Sequence, residues 1–280
     1  MACRRVGRVR FNKKRRTAMD LGLEGKTALV MAASKGLGKA AAMALSAEGC
    51  TVVLGARNAA TLKQTAEDIR ETTGNAVYYQ PTDVGVKEQI EALAALAEEK
   101  AGGADILVTN AGGPPVRTFE ESTDDEWQQW YNITFMSVVR AVQAVLPAMK
   151  RKKSGRIINI TSSSVKAPIE SLVYSNALRL AVVGLAKTLS RELGPYGITV
   201  HNVAPGYHLT EGLERIIVNK MKEGRSRKEV LEMWSRSIPV GRIGRPEDLA
   251  YLIAFLAGSR ASYLSGTTIQ VDGGLYGGVM

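Results

Sequence analysis

Short apolar runs rich in β-branched residues alternate along the chain with longer stretches whose apolar positions recur every three or four residues. The first pattern is that of strands covered on both faces, the second that of amphipathic helices. Strands are expected over residues 27–33, 51–54, 76–80, 105–109, 156–160, 198–203 and 267–271, the third ended by Pro81. Helices are expected over 39–48, 60–72, 86–100, within 124–151, and over 172–193. Such alternation implies parallel strands joined by right-handed crossovers. The expected fold class is α/β, a doubly wound, mostly seven-stranded parallel sheet in a single domain. Residues 211–238 interrupt the alternation, are charged, carry Met221 and Met233, and read as a helical lid insertion.

Composition changes this picture little. With 280 residues, 45% hydrophobic and 23% charged, the chain can bury a sizeable core. No apolar run reaches the roughly 18–20 residues of a membrane helix, and no apolar stretch follows the basic start, so neither a membrane span nor a secretory signal is expected. Cys3 and Cys50 cannot form a disulfide framework; Cys50 reads as a small buried residue, and a reducing cytoplasm is the expected location.

Charge is unevenly spread. The net charge is +10, but residues 1–18 hold Arg4, Arg5, Arg8, Arg10, Lys13, Lys14, Arg15 and Arg16 and no acid, which leaves a body near +2. A basic tail can bind nucleic acid or an anionic membrane, and an Arg-rich start can target an organelle, although serines are lacking. The simpler reading is a disordered extension before a folded domain over 19–280, with no nucleic-acid or membrane partner. No His, Cys or Asp cluster has metal-ligand spacing, so no metal requirement is expected.

Candidate chemistry begins after the first strand, at Met31-Ala32-Ala33-Ser34-Lys35-Gly36-Leu37-Gly38. Glycines between a strand and a helix let a pyrophosphate approach backbone N–H groups at the helix start. Gly36 and Gly38 in that setting match the last two glycines of the Thr-Gly-x-x-x-Gly-x-Gly turn of short-chain dehydrogenases/reductases. Asp83-Val84, Thr109-Asn110-Ala111-Gly112, Asn132, Pro205-Gly206 with Thr210, and Val271-Asp272-Gly273-Gly274 follow in that family's order. From about residue 23 to 274 the chain thus resembles this family, with its Rossmann-type fold. The resemblance implies a dinucleotide held by Ser34, Lys35, Gly36, Leu37, Gly38, Asp83, Val84, Asn110, Ala111, Gly112, Pro205, Gly206 and Thr210. Met31 and Ala32 replace the family's Thr and first Gly; Ala32 brings a methyl into a tight turn, so the turn is expected to avoid positive φ there.

An NAD site places a carboxylate at the end of the second strand, where this chain has Gly55-Ala56-Arg57-Asn58. Arg57 can pair with a 2′-phosphate, and Lys35 adds a second cation, so NADP(H) is expected in preference to NAD(H).

The family uses a Tyr as proton donor, a Lys one helical turn later and a Ser that orients the substrate oxygen. Ser162 matches the Ser. The Tyr position, counted 13 residues on from Ser162 or 30 back from Pro205, falls on Ser175, and the Lys position on Arg179. Tyr174 lies one residue early. Three readings follow. A local shift lets Tyr174 act, with Arg179 as the nearby cation. Alternatively Ser175 and Arg179 take the usual places in a reaction that needs no direct protonation of an alkoxide, such as reduction of an activated C=C bond. In the third, the protein binds NADP(H) as a catalytically impaired regulatory or structural protein. Asn132 matches the Asn that holds an active-site water, His208 is a substitute proton donor to weigh, and His201 reads as a satisfied core residue. The expectation is an NADP(H)-dependent oxidoreductase similar to 3-oxoacyl-ACP reductases and glucose dehydrogenase-like members, acting on a small or acyl-linked carbonyl, alcohol or conjugated alkene. The family also implies a homo-oligomer, tetramer or dimer, for which Leu178, Leu180 and Leu185 offer apolar surface.

Overall fold

Every residue of β1 (Thr27–Met31) is buried, and its side chains alternate between two hydrophobic layers. That is what an apolar run without polar interruption must do when both faces of a parallel sheet are covered. The structure is a computed structural model that describes residues 19–221 and 224–279; the basic extension lies outside the described residues.

After β1 come α1 (Gly36–Ala47), β2 (Thr51–Ala56), α2 (Ala59–Thr73), β3 (Val77–Pro81), α3 (Lys87–Ala101) and β4 (Ile106–Thr109). The second half holds α4 (Asp124–Trp130), a π-helical turn at Tyr131–Met136, α5 (Ser137–Lys152), β5 (Gly155–Ile160), α6 (Val173–Leu193) and β6 (Ile198–Pro205). It closes with α7 (Glu211–Met221), α8 (Arg227–Ser237), α9 (Pro246–Ala257) and β7 (Thr267–Val271). The seven strands are parallel in the order β3-β2-β1-β4-β5-β6-β7. One face is covered by Ala41, Leu45, Leu62, Ile69, Leu249 and Ile253 of α1, α2 and α9. The other is covered by Leu93, Val142, Met149, Val182 and Ala186 of α3, α5 and α6. The strand order reverses between β1 and β4, which opens a crevice at their carboxyl ends.

The run Asp124–Lys152 has the length and, over its most apolar window, the mean hydropathy of a membrane span. Val138, Val142, Val145 and Met149 are buried against the sheet, which marks it as a core helix. The 211–238 insertion folds as α7 and α8, with a small core of its own around Leu213, Ile217, Val230 and Trp234. α9 was not expected from periodicity, although Pro246 at its first turn and Asp248 behind it form a helix-start signal.

A line of polar side chains crosses the sheet on its α5–α6 face. Thr109 Oγ1 donates to Asn159 Oδ1 at 2.7 Å, Asn159 Nδ2 to Asn202 Oδ1 at 3.0 Å, and Asn202 Nδ2 to Thr268 Oγ1 at 3.1 Å. The four residues are register partners on β4, β5, β6 and β7. Each buried polar group thereby finds a partner in an otherwise apolar layer.

Candidate active site

The crevice begins at the glycine turn. Ala32 adopts φ 47°, which corrects the expectation that the turn would avoid the left-handed region. The conformation costs an alanine on the order of 1 kcal/mol and is held because the Ala33 N–H donates to the Gly55 carbonyl at 3.1 Å. The Asn110 amide donates to the Ala32 carbonyl at 3.4 Å from the far side of the crevice. A Cβ on Gly38 would fall against the Ala32 carbonyl oxygen, and a Cβ on Gly36 would meet the methyl of Thr210 at 3.3 Å. Gly36 also sits at φ 52°. The turn is thus packed from both sides and leaves the start of α1 free to receive an anion.

A cavity of about 300 Å³ lies beside it, lined by Ser34, Lys35, Arg57, Asp83, Val84 and Gly112 among others. Lys35 and Arg57 are exposed, and among the described residues neither forms a salt bridge. Asn58 caps α2 through Thr61 N–H at 2.9 Å, so no carboxylate stands at the end of β2. Asp83 Oδ1 accepts from the Gly85 N–H at 2.8 Å. The cradle and the two cations fit a dinucleotide bearing an extra phosphate.

Beyond Gly36 the crevice reaches the ends of β5 and β6. Ser162 Oγ accepts the Ser164 N–H at 3.1 Å, and Ser164 Oγ lies 3.1 Å from Ser175 Oγ, both of these hydroxyls belonging to buried residues. One turn further on α6, Arg179 is buried, with Nη1 donating to the Ile160 carbonyl at 3.1 Å. Among the described residues no carboxylate pairs with it. Burial lowers its pKa to about 10, so it stays protonated near neutral pH. Ser162, Ser175 and Arg179 are brought together. Ser164 escaped notice in the Thr161-Ser-Ser-Ser164 run, and Asn176 was also missed. The Asn176 side chain accepts from the Ile169 N–H at 3.1 Å and donates to the Ile169 carbonyl at 2.9 Å, which fixes the loop after Ser164.

Tyr174 is not brought into this group. It is fully buried, its hydroxyl donates to Glu126 Oε2 at 2.8 Å, and its ring stands edge-on to Trp127 at 4.7 Å. One residue along a helix is a turn of about 100°, and here it carries the side chain to α4. Burial and the bond to Glu126 raise its pKa, which suits an anchor. The shifted-Tyr reading is corrected accordingly. Tyr174→Phe is expected to lower the melting temperature by a few degrees, since a hydrogen bond to a charged group contributes about 1.5–3 kcal/mol, and to leave turnover intact; thermal melts beside an activity assay check both.

His208 is corrected as a proton donor. It is buried, Nδ1 lies 3.2 Å from the Gly206 carbonyl, and burial lowers its pKa, so the ring is neutral with its Nδ1 proton committed to Gly206. Nε2 sits against Gly244 without a partner. His201 is buried as expected, with Nδ1 2.8 Å from Thr267 Oγ1. Cys50 is buried, with its thiol pushed up to about 12. Asn132 lies in the π-helical turn; its side chain donates to the Gln128 carbonyl at 3.0 Å and accepts from Arg140 at 3.1 Å. Within the turn the Asn132 carbonyl accepts from the Ser137 N–H, and single π-turns of this kind are frequent at functional sites.

A parallel sheet with a glycine turn at its switch point and a buried serine–arginine group beside it defines a dinucleotide-dependent oxidoreductase. The sequence model for enoyl-(acyl carrier protein) reductases matches residues 31–276. The 3-oxoacyl-[acyl-carrier-protein] reductase FabG of Vibrio harveyi is 34% identical over 258 residues, 91% of this chain and 99% of the relative. D-beta-hydroxybutyrate dehydrogenase of Rhizobium meliloti is 30% identical, over 89% and 98%. Among solved structures, L-sorbose reductase from Gluconobacter frateurii, complexed with NADPH and L-sorbose, superposes with a TM-score of 0.90 at 32% identity, over 93% of this chain and 100% of that one. The chain belongs to the short-chain dehydrogenase/reductase family and is an oxidoreductase. A catalytically impaired binder draws no support from these relatives, which are reductases and a dehydrogenase.

Proposed function

We propose that this chain is an NADPH-dependent reductase, preferring NADPH to NADH, whose substrate is a small or acyl-linked carbonyl compound or conjugated alkene. The observation that carries the cofactor preference is the pair of unbridged cations, Lys35 and Arg57, at a crevice end without a carboxylate. When bound, the dinucleotide supplies the hydride. Ser34, Gly36, Leu37 and Gly38 line the pyrophosphate path, Asp83 and Val84 the adenine end, and Asn110, Ala111 and Gly112 the ribose side. Pro205, Gly206 and Thr210 flank the nicotinamide.

Ser162 and Ser175 donate hydrogen bonds to the substrate oxygen, and buried Arg179 holds ribose hydroxyls and stabilises negative charge nearby. Asn132 holds a water beside the reacting group. A serine hydroxyl is a poor general acid near neutral pH, so the proton is supplied ultimately by solvent. That favours a conjugated alkene, in which the charge spreads over an enolate and is less basic.

The compartment proposed is the cytoplasm. Residues 1–18 act as an extension without a part in the reaction, and 211–238 as a lid. A homo-oligomer is supported by the outer face of α6, where Leu180 is 52% exposed between exposed Ala177 and Gly184; Leu178 and Leu185, expected on that face, pack inward instead.

Titration of NADPH and NADH against the purified chain tests the cofactor reading. NADPH is expected to bind more tightly, and Arg57→Ala to weaken NADPH roughly 10–100-fold with NADH unchanged, the loss of a charge-assisted bond. Equal affinities would remove the roles of Arg57 and Lys35. Binding of neither nucleotide would remove the enzymatic reading.

A further inference from the structure

The cavity beyond the serines measures about 310 Å³ and is walled by Ile169, Leu172, Leu213, Ile216 and Leu275. Its polar lining is confined to Ser162, Ser163, Tyr207, His208, Thr210 and backbone; no Asp, Glu, Lys or Arg among the described residues lines it. His208 adds no charge near neutral pH. The neighbouring hollows differ: Lys35, Arg57 and Asp83 line the adenosine end, and Lys39, Glu211, Glu214, Arg227 and Glu247 line the groove between α1, α7 and α9. Among the described residues, charge is therefore absent from the substrate end alone.

The walls are also fixed. Asn176 clamps Ile169 by both backbone groups. On the lid side Leu213 belongs to the cluster with Trp234, whose ring stacks on Tyr207 at 4.9 Å and 5°. A carboxylate or phosphate entering here would lose its water and meet no cationic side chain among the described residues, a heavy penalty in a mainly apolar site. Hydrocarbon would lose nothing and gain contact.

From this lining we infer that the substrate is a neutral, mainly hydrocarbon carbonyl compound of single-ring to medium-chain size. Its oxygen faces Ser162 and its body lies between Ile169, Leu172 and the lid. Pro205, Gly206 and Thr210, which flank the nicotinamide, line the same cavity, so the cofactor ring takes part of its volume and the substrate body is limited to the remainder. The inference rests on the reductase reading and narrows it.

The test uses the full chain with NADPH and two sets of probes. The neutral set is 2-cyclohexen-1-one, trans-2-nonenal and α-tetralone; the polar set is 4-oxopentanoate, acetoacetyl-CoA and L-sorbose. A kcat/KM at least 100-fold higher for the best neutral probe than for any polar one is expected; an equal or better polar probe overturns the inference while leaving the reductase reading in place. Calorimetric binding of α-tetralone to the NADP⁺-saturated protein gives a readout independent of turnover, and absence of that binding also overturns it. Ile216 is 38% exposed, so Ile216→Arg should fold normally. It is expected to weaken α-tetralone at least tenfold with NADPH affinity unchanged, and unaltered α-tetralone binding counts against the assigned wall. Failure of the NADPH titration itself would remove the underlying reading, and this inference with it.

Discussion

Arg179→Met is expected to melt at a higher temperature than the parent chain and to lose most of its NADPH-dependent turnover. Arg179 is buried, and among the described residues only the Ile160 carbonyl accepts from its guanidinium. Burial disfavours the charge strongly enough to lower its pKa to about 10. Replacing a buried charge by an apolar side chain of similar length is often stabilising by about 1–4 kcal/mol, which is several degrees in a domain of this size. The orphaned Ile160 carbonyl offsets part of that gain. If the guanidinium holds the cofactor ribose and the charge developing on the substrate, its loss costs on the order of 10²-fold or more in turnover. Differential scanning calorimetry and steady-state assays on the same preparation give the two signs. A lower melting temperature with full activity would show that Arg179 is a structural residue.

Gly38→Val is the second large effect. Its Cβ would fall against the Ala32 carbonyl and lie 2.9 Å from the Asn110 amide, and neither the turn nor β4 can withdraw without opening the crevice. Backbone obstruction of this kind costs roughly 3 kcal/mol or more in stability. NADPH affinity is expected to fall at least 100-fold, read by titration of whatever fraction remains folded. Affinity within a few fold of the parent would mean that the phosphates do not approach this turn.

The difference between what the chain discloses and what it conceals is a matter of range. The central strands were legible because a strand covered on both faces is largely an apolar run, and the half-buried edge strands β3 and β7 because short β-branched or aromatic runs stand there, 267–271 being placed to the residue. The glycine turn, Asn110, Ser162, Ser175 and Arg179 became candidates through the resemblance to the family's motifs, which are short local strings in the chain. The partner of Tyr174 was not: Glu126 is 48 residues away, and only packing of α4 on α6 brings it there. The φ of Ala32 was misjudged because it is set by Gly55 on another strand. The apolar cavity was invisible for the same reason, its walls coming from the loop at Ile169, from α7 and from the last residues of the chain.

The polar line through Thr109, Asn159, Asn202 and Thr268 bears on how this enzyme can diversify. Asn110, Ser162, Pro205 and Asp272 each lie within four residues of one of its members. Four separate loops therefore share one datum, and a slip of β5 or β6 would cost hydrogen bonds in two directions, a slip of β4 or β7 in one. A loop hung from such a datum can change its length or chemistry without disturbing the alignment of the other three. Novelty in substrate choice is cheap here, and novelty in strand register is not.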